Sequence, residues 1–213
     1  MHIEQILVGP MAVFCYLVVC PETGECVLID PAGDEDQILS ILNDRNWRPL
    51  YLINTHGHPD HTSGNQRIVQ ATSVKIVMHE EEARLFDTPM GRQMAMQMGF
   101  PPSPPVNRKV RDGETIAFGK EALEVIHTPG HTPGGICLYA KENIFTGDTL
   151  FVGAAGRTDL PGGSLDILLE SLQHKIMPLP DDTIIWPGHD YGDRPTSTLG
   201  REKKTNPYLT DFF

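Results

Sequence analysis

Apolar residues in the first thirty positions come in short runs rather than at helical spacing. Residues 3–8 and 12–20 are two such runs, parted by Gly9 and Pro10, and a turn at 21–24 leads to a third at 26–29. Runs of that length bounded by glycine and proline predict strands. From Asp34 the spacing changes: Ile38, Ile41 and Leu42 form the apolar stripe of a helix. A further apolar run at 49–55 predicts a buried strand, and past Asp60 the pattern is helical again, with Ile68 and Val69 inside. Residues 74–78 predict another short strand. Strands first, then strand–helix alternation, describe a sheet covered by helices.

Residues 80–111 break the pattern. Met90, Met94 and Met98 recur every four positions, which puts them on one helical face, and Pro101, Pro102, Pro104 and Pro105 forbid further helix. A flexible apolar lid, a helix packed on the core and a dimer contact all fit this segment. Asp112-Gly113 predicts a hairpin turn, followed by strand-like alternation at 114–118 and 122–127. Residues 164–176 predict an amphipathic helix with Ser164 as N-cap and Leu165, Leu168, Leu169 and Leu172 inside.

Chemistry concentrates where apolar runs end. The run at 49–55 opens into His56, Gly57, His58, Pro59, Asp60 and His61, a dense set of metal-ligand types on constrained backbone. Asp60 falls near a helix N-terminus, where a carboxylate is favoured. Three later runs end the same way, in a glycine beside a ligand: His131 before Gly134, Asp148 after Gly147, and His189 after Gly188. Glycine permits the sharp turn that brings each ligand forward. Five of nine histidines lie in these turns, and His2, His79, His127 and His174 read as structural or surface residues. Seven candidate ligands are too many for one tetrahedral zinc, and two adjacent metals bridged by a carboxylate and a hydroxide fit the number better.

Composition narrows the function classes. The net charge of −11 disfavours a nucleic-acid partner, and the one basic cluster, Arg201, Lys203 and Lys204, is small and mixed with acid. Cys15, Cys20, Cys26 and Cys137 show no paired C-x-x-C spacing and read as buried reduced thiols, which suits a cytoplasmic setting. The apolar stretch at 11–20 is too short for a membrane span, and no export signal is read. With 213 residues the chain reads as a single domain, 1–213, with an irregular Met- and Pro-rich insertion at about 80–111.

The ordered set His56, His58, Asp60, His61, His131, Asp148 and His189 resembles the full motif pattern of the metallo-β-lactamase superfamily. The resemblance implies an α/β fold, a four-layer αββα sandwich with the metals at one edge of two facing sheets. It implies His56, His58 and His131 on one metal, Asp60, His61 and His189 on the other, and Asp148 as the bridge. Residues 128–134, 145–151 and 156–159 look most like the glyoxalase II group, and the tail from Ser197 is similar to compact glyoxalase II-like hydrolases and to persulfide dioxygenases. Only 24 residues follow His189, so the added helical domain with which glyoxalase II grips glutathione is not matched. Arg157 and Asp159 stand where its pocket has a lysine and a tyrosine.

What the resemblance implies is hydrolysis of a thioester such as S-lactoylglutathione by a metal-bridging hydroxide. Asp60 and Asp148 are the catalytic carboxylates, with two divalent ions as cofactors: zinc first, iron or manganese as options. The alternative is a persulfide dioxygenase with a single iron on His56, His131 and Asp148. Those relatives carry Ala before the motif Asp and Cys before Gly-Arg-Thr-Asp, whereas this chain has Pro59 and Ala155, which favours the hydrolase. Arg157 and Tyr191 are candidate substrate contacts, and Arg157 fits equally a carboxylate clamp or a structural ion pair. The expected partner is a small molecule, without nucleic acid or membrane; a homodimer through the Met-rich segment or the tail stays open.

Overall fold

The computed structural model describes residues 1–97 and 99–213, and the side chains of these except at 90–92 and 94. The first half builds one six-stranded sheet whose spatial order follows the chain: β1 (His2–Val8), β2 (Val13–Val19), β3 (Glu25–Ile29), β4 (Arg48–Ile53), β5 (Lys75–His79) and β6 (Arg108–Val110). Strands β1 to β3 pair antiparallel, whereas β3 to β6 pair in parallel. The parallel steps carry helices: α1 (Glu35–Asp44) before β4, then α2 (Pro59–Thr62) and α3 (Asn65–Thr72) before β5, and α4 (Glu80–Phe86) and α5 (Pro89–Gln97) before β6.

The second sheet takes β7 (Thr115–Phe118), β8 (Glu121–His127), β9 (Ile136–Ala140) and β10 (Asn143–Gly147) as an antiparallel run. A small hairpin, β11 (Leu150–Phe151) with β12 (Ala154–Ala155), follows, then α6 (Leu165–Ser171), which continues into a π-helical turn, Leu172–Ile176. Strand β13 (Ile184–Pro187) lies parallel to β10, with β14 (Ser197–Thr198) at its edge and α7 (Leu199–Thr205) and α8 (Pro207–Thr210) closing the described chain.

Three apolar layers define the sandwich. Between the sheets, Phe14, Tyr16, Val18 and Ile53 pack on Leu123, Val125, Leu138 and Phe145. The outer face of the first sheet, with Cys15, Leu17 and Leu28, meets Ile38 and Leu42 of α1 and Ile68 of α3. The outer face of the second, with Cys137, Ile144 and Ile185, meets Leu168, Leu172 and Ile176. Strand β2 is buried along both faces, which explains why its sequence is a continuous apolar run instead of an alternation. The αββα architecture is therefore present. The four cysteines are buried and unpaired, and no helix among the described residues is long and apolar enough to cross a membrane.

Four sequence expectations are corrected. Residues 80–97 are largely helical, as α4 and α5, and irregular backbone is confined to about 99–107 before β6 completes the sheet. The shared face of Met90, Met94 and Met98 lies outside the described residues. Asp112-Gly113 turns the chain, with Gly113 at φ +75°, but links the two sheets; the hairpin is β7–β8, closed at Gly119-Lys120. Turn chemistry sets where a chain bends and not whether the flanking strands pair. The helix past Asp60 is two helices, because Gly64 hydrogen-bonds to Pro31 O at 2.9 Å and there is no room for a Cβ. Leu165 is 38% exposed, since the buried line of its helix runs through Leu168, Leu172 and Ile176.

Strands β8 and β10 run the same way, each antiparallel to β9, and β13 is parallel to β10. Their C-terminal ends meet that of β4 at one edge of the sandwich. Hydrogen bonds across that edge fix it: Ile136 N to Thr55 O at 2.9 Å and Phe14 N to Gly188 O at 2.9 Å, and Tyr16 OH to Pro187 O at 2.5 Å.

Candidate metal centre

All seven sequence-predicted ligands converge at this edge. His56 and His58 leave β4, Asp60 and His61 sit in the single turn of α2, and His131, Asp148 and His189 follow β8, β10 and β13. Donor atoms of three triads approach within 4.8 Å of one another: His56, His58 and His131; His56, His61 and Asp148; Asp60, His61 and His189. His131 Nε2 is 2.9 Å from His58 Nδ1, and His61 Nε2 is 3.1 Å from His189 Nε2. Asp148 reaches both sides, with Oδ1 3.3 Å from His61 Nε2 and Oδ2 3.4 Å from His131 Nε2. Asp60 Oδ2 lies 3.6 Å from His189 Nε2 and 3.8 Å from His61 Nε2. A tetrahedral ion with bonds of about 2.0–2.1 Å holds its ligand atoms about 3.3 Å apart, so these separations are those of ligand shells.

The far side of each ring decides which nitrogen faces the centre. Carbonyl oxygens only accept, so His131 Nδ1 donates to Arg157 O at 2.7 Å and His189 Nδ1 donates to Met11 O at 2.9 Å. His61 Nδ1 donates to the buried Asp30 carboxylate at 3.0 Å. Thr55 Oγ1 gives its proton to Asp30 at 2.6 Å and so accepts from His56 Nδ1 at 3.1 Å. Four imidazoles therefore commit their Nδ1 protons outward and turn Nε2 towards the centre, the arrangement outer partners impose on metal-binding histidines. His61 and His189 face each other with both protons committed elsewhere, and only a cation, proton or metal, reconciles them. His56 Nε2 and Asp148 Oδ1 are buried without a hydrogen-bond partner among the described residues. The donor set fits divalent metal.

Electrostatics agree. Burial, aided by the neighbouring His61, pushes the His56 pKa well below that of an ordinary imidazole. Burial and His131 push His58 down to about 4. Both rings thus keep lone pairs at neutral pH. Burial pulls His61 the same way, but Asp148 and Asp30 outweigh it and hold its pKa well above the ordinary value. Asp148 is destabilised as an anion by burial, yet His61 and the other rings hold its carboxyl well below the carboxylate range. Glycine is needed beside it: a Cβ on Gly188 would lie 2.5 Å from Asp148 Oδ1.

The metallo-beta-lactamase superfamily matches residues 8–189 of the chain, a span that holds all seven ligands. The chain belongs to that superfamily. Among curated superfamily relatives, the hydroxyacylglutathione hydrolase of Polaromonas sp. is 36% identical, covering 99% of this chain and 78% of that one. Hydroxyacylglutathione hydrolase GloC of Haemophilus influenzae is 33% identical over 98% of both. Solved structures agree with the fold. BLEG-1 B3 metallo-beta-lactamase has a TM-score of 0.88 at 32% identity, covering 98% of this chain and 100% of that one. TTHA1623 in a di-iron-bound form gives 0.84 at 34% identity, with 97% and 100% covered. ETHE1 from Myxococcus xanthus gives 0.83 at 28% identity, with 99% and 85% covered.

The candidate substrate contacts fare differently from the ligands. The Arg157 guanidinium is held by both oxygens of Asp159 at 2.7 Å on the surface, and the residue meets the centre through its backbone carbonyl. Tyr191 stacks on His189, with ring centroids 4.4 Å apart. His79 and His127 also stack, at 3.9 Å, joining the two sheets. Sequence reasoning missed two buried carboxylates. Asp30 ends an apolar strand as the ligand-bearing turns do, so its position carried a signal. Glu82 accepts from Gly57 N and Gly134 N, each at 2.9 Å, tying the first ligand loop to the His131 loop. As one of three consecutive glutamates it carried none.

Proposed function

We propose that the chain hydrolyses a thioester, with S-lactoylglutathione as the reference substrate, at a centre that holds two divalent ions, zinc first among them. The observation that carries this reading is the pair of triads around one carboxylate: His56, His58 and His131 on one side, Asp60, His61 and His189 on the other, and Asp148 facing both. The relatives named hydroxyacylglutathione hydrolase support the substrate class. When bound, such a pair of ions lowers the pKa of a water towards ~7 and withdraws charge from a carbonyl oxygen.

The chain's own groups hold and aim. Asp148, clamped by glycine and histidine, keeps its anionic charge between the triads. Asp60 is more exposed than Asp148, 18% against 10% for the side chains, and sits at the start of α2. In this reading it orients an attacking water and takes up its proton. Serine or cysteine chemistry is not required: the sequence has no Gly-x-Ser-x-Gly elbow, and burial pushes the Cys137 thiol up to about 11.

The test is Asp148→Asn. Loss of several kcal/mol of transition-state stabilisation, roughly a thousandfold or more in kcat, is expected with the fold retained by circular dichroism. Undiminished turnover by a folded, metal-loaded variant would overturn the reading. A second reading rests on the likeness to ETHE1, a persulfide dioxygenase: one iron on His56, His131 and Asp148, a two-histidine, one-carboxylate set. Metal content separates them. Two ions per chain support the thioesterase; one iron, with oxygen uptake on a persulfide, supports the dioxygenase. A β-lactam belongs in the substrate panel as a control, given the likeness to BLEG-1. The reading needs only a small-molecule substrate in a cytoplasmic setting, and neither nucleic acid nor membrane.

A further inference from the structure

A cleft enclosing about 150 Å³, partly open to solvent, begins at His58 and runs outward between α4, α5 and the proline-rich loops. Its body is apolar, formed by Leu85, Phe86, Ala95, Pro105, Pro133 and Pro161. The polar groups in its wall are engaged within the protein. Glu82 accepts from two backbone amides, and the Thr62 hydroxyl donates to His58 O at 3.2 Å. The Ser103 hydroxyl donates to Pro104 O at 3.0 Å, and Asp87 accepts from Val106 N at 3.1 Å. Thr132 differs: it adjoins the ligand His131, its side chain is buried at 3% exposure, and its hydroxyl has no partner among the described residues. The cleft is thus polar at the metal end and apolar beyond it.

We propose that this cleft receives an apolar arm of the substrate, with the reacting carbonyl held at the His58 and Thr132 end. The inference rests on the thioesterase reading and specifies its substrate class. No described lining residue is a cation, and Arg157 is already paired with Asp159. A short alkyl or aryl arm meets only surface that water leaves readily. Each methylene entering the cleft is expected to tighten binding about threefold to fourfold, the factor equivalent to ~0.8 kcal/mol per buried CH₂. Either the acyl or the thiol side of a thioester offers such an arm.

The experiment uses zinc-loaded protein and ketone analogues of the thioester in which a CH₂ replaces sulfur, so that binding is read without turnover. One series lengthens the acyl side, the other the thiol side, and calorimetry gives affinity against chain length. A rising slope in one series is expected and identifies which side enters. Leu85→Asp, at a position 57% exposed, should flatten that slope; Ala95→Phe, which fills the cleft, is the second variant and should do the same. Flat slopes in both series, or slopes indifferent to both variants, would overturn the inference. The matching thioesters are assayed in parallel for hydrolysis. Turnover with flat slopes leaves the thioesterase and removes the cleft, whereas steep slopes without turnover keep the cleft's ligand chemistry and remove the thioesterase.

Discussion

Asp30→Asn tests how the protein sets the protonation of its metal ligands. Asp30 is buried, and its two oxygens accept from Thr55 N at 2.8 Å, Thr55 Oγ1 at 2.6 Å and His61 Nδ1 at 3.0 Å. Its backbone is left-handed, at φ +48°, a conformation asparagine tolerates as well as aspartate, so the substitution changes chemistry and not shape. With the amide oxygen kept on Thr55 N, the NH₂ group takes the place of Oδ2 and faces His61 Nδ1. Two donors cannot share that contact. The imidazole then moves its proton to Nε2, the atom 3.1 Å from His189 and 3.3 Å from Asp148, and the inner lone pair is lost. Outer partners of this kind are worth about 10–100-fold in metal affinity, or roughly 1.4–2.8 kcal/mol. Weakening two buried hydrogen bonds to a charged acceptor should also remove about 2–4 kcal/mol of stability, a Tm fall of about 5–15 °C. Chelator competition on the zinc-loaded variant should find the ion of the Asp60, His61 and His189 triad weakened and the other retained. Nitrogen NMR of labelled histidine reads the His61 tautomer directly. Unchanged affinity at both sites would refute the reasoning.

Three further outcomes follow from the packing and the charges. Glu82→Ala leaves Gly57 N and Gly134 N without their acceptor; a loss of about 2–4 kcal/mol in urea melts is expected, and an unchanged midpoint would show that the two ligand loops do not depend on this tie. Leu168→Ala should cost about 2–5 kcal/mol, while Leu165→Gln, at an exposed position on the same helix, should stay within about 0.5 kcal/mol; equal losses would contradict the observed helix face. Burial and His127 push the His79 pKa down to about 4, against the pull of Glu80, Glu81 and Asp112. The folded protein therefore binds fewer protons than the unfolded chain between about pH 4 and 6.5, so this stability is complete above pH 6.5 and is lost as pH falls towards 4. His79→Gln, which keeps an acceptor for the α4 N-terminus, should flatten denaturant midpoints across that window, and an unaltered pH profile would count against the assignment.

The ligands were legible because each stands where an apolar run stops. A strand that must be buried on both faces is written in apolar residues, and the polar residue that ends it is conspicuous; His56, Asp148 and His189 are found in that way. Element types followed the same logic, since burial fixes period two or period 3.6 along the chain. The errors arose where a local signal served a distant contact. Asp112-Gly113 has the chemistry of a hairpin turn, yet β6 had already paired with β5, so the turn passes the chain to the other sheet. Leu165 has helical spacing to Leu168, yet it lies off the buried line of its helix and is exposed.

The composition of the centre is written in the chain: which seven side chains, on which strand ends, in an order that resembles one superfamily. Tertiary structure alone decided how they act together. The inward nitrogen of four of the five rings is chosen by Asp30, Thr55 and two backbone carbonyls, Met11 O and Arg157 O, and the latter pair belong to residues whose side chains give no hint of it. Backbone acceptors are identical at every position of a chain. Only folding determines which of them a buried imidazole will meet.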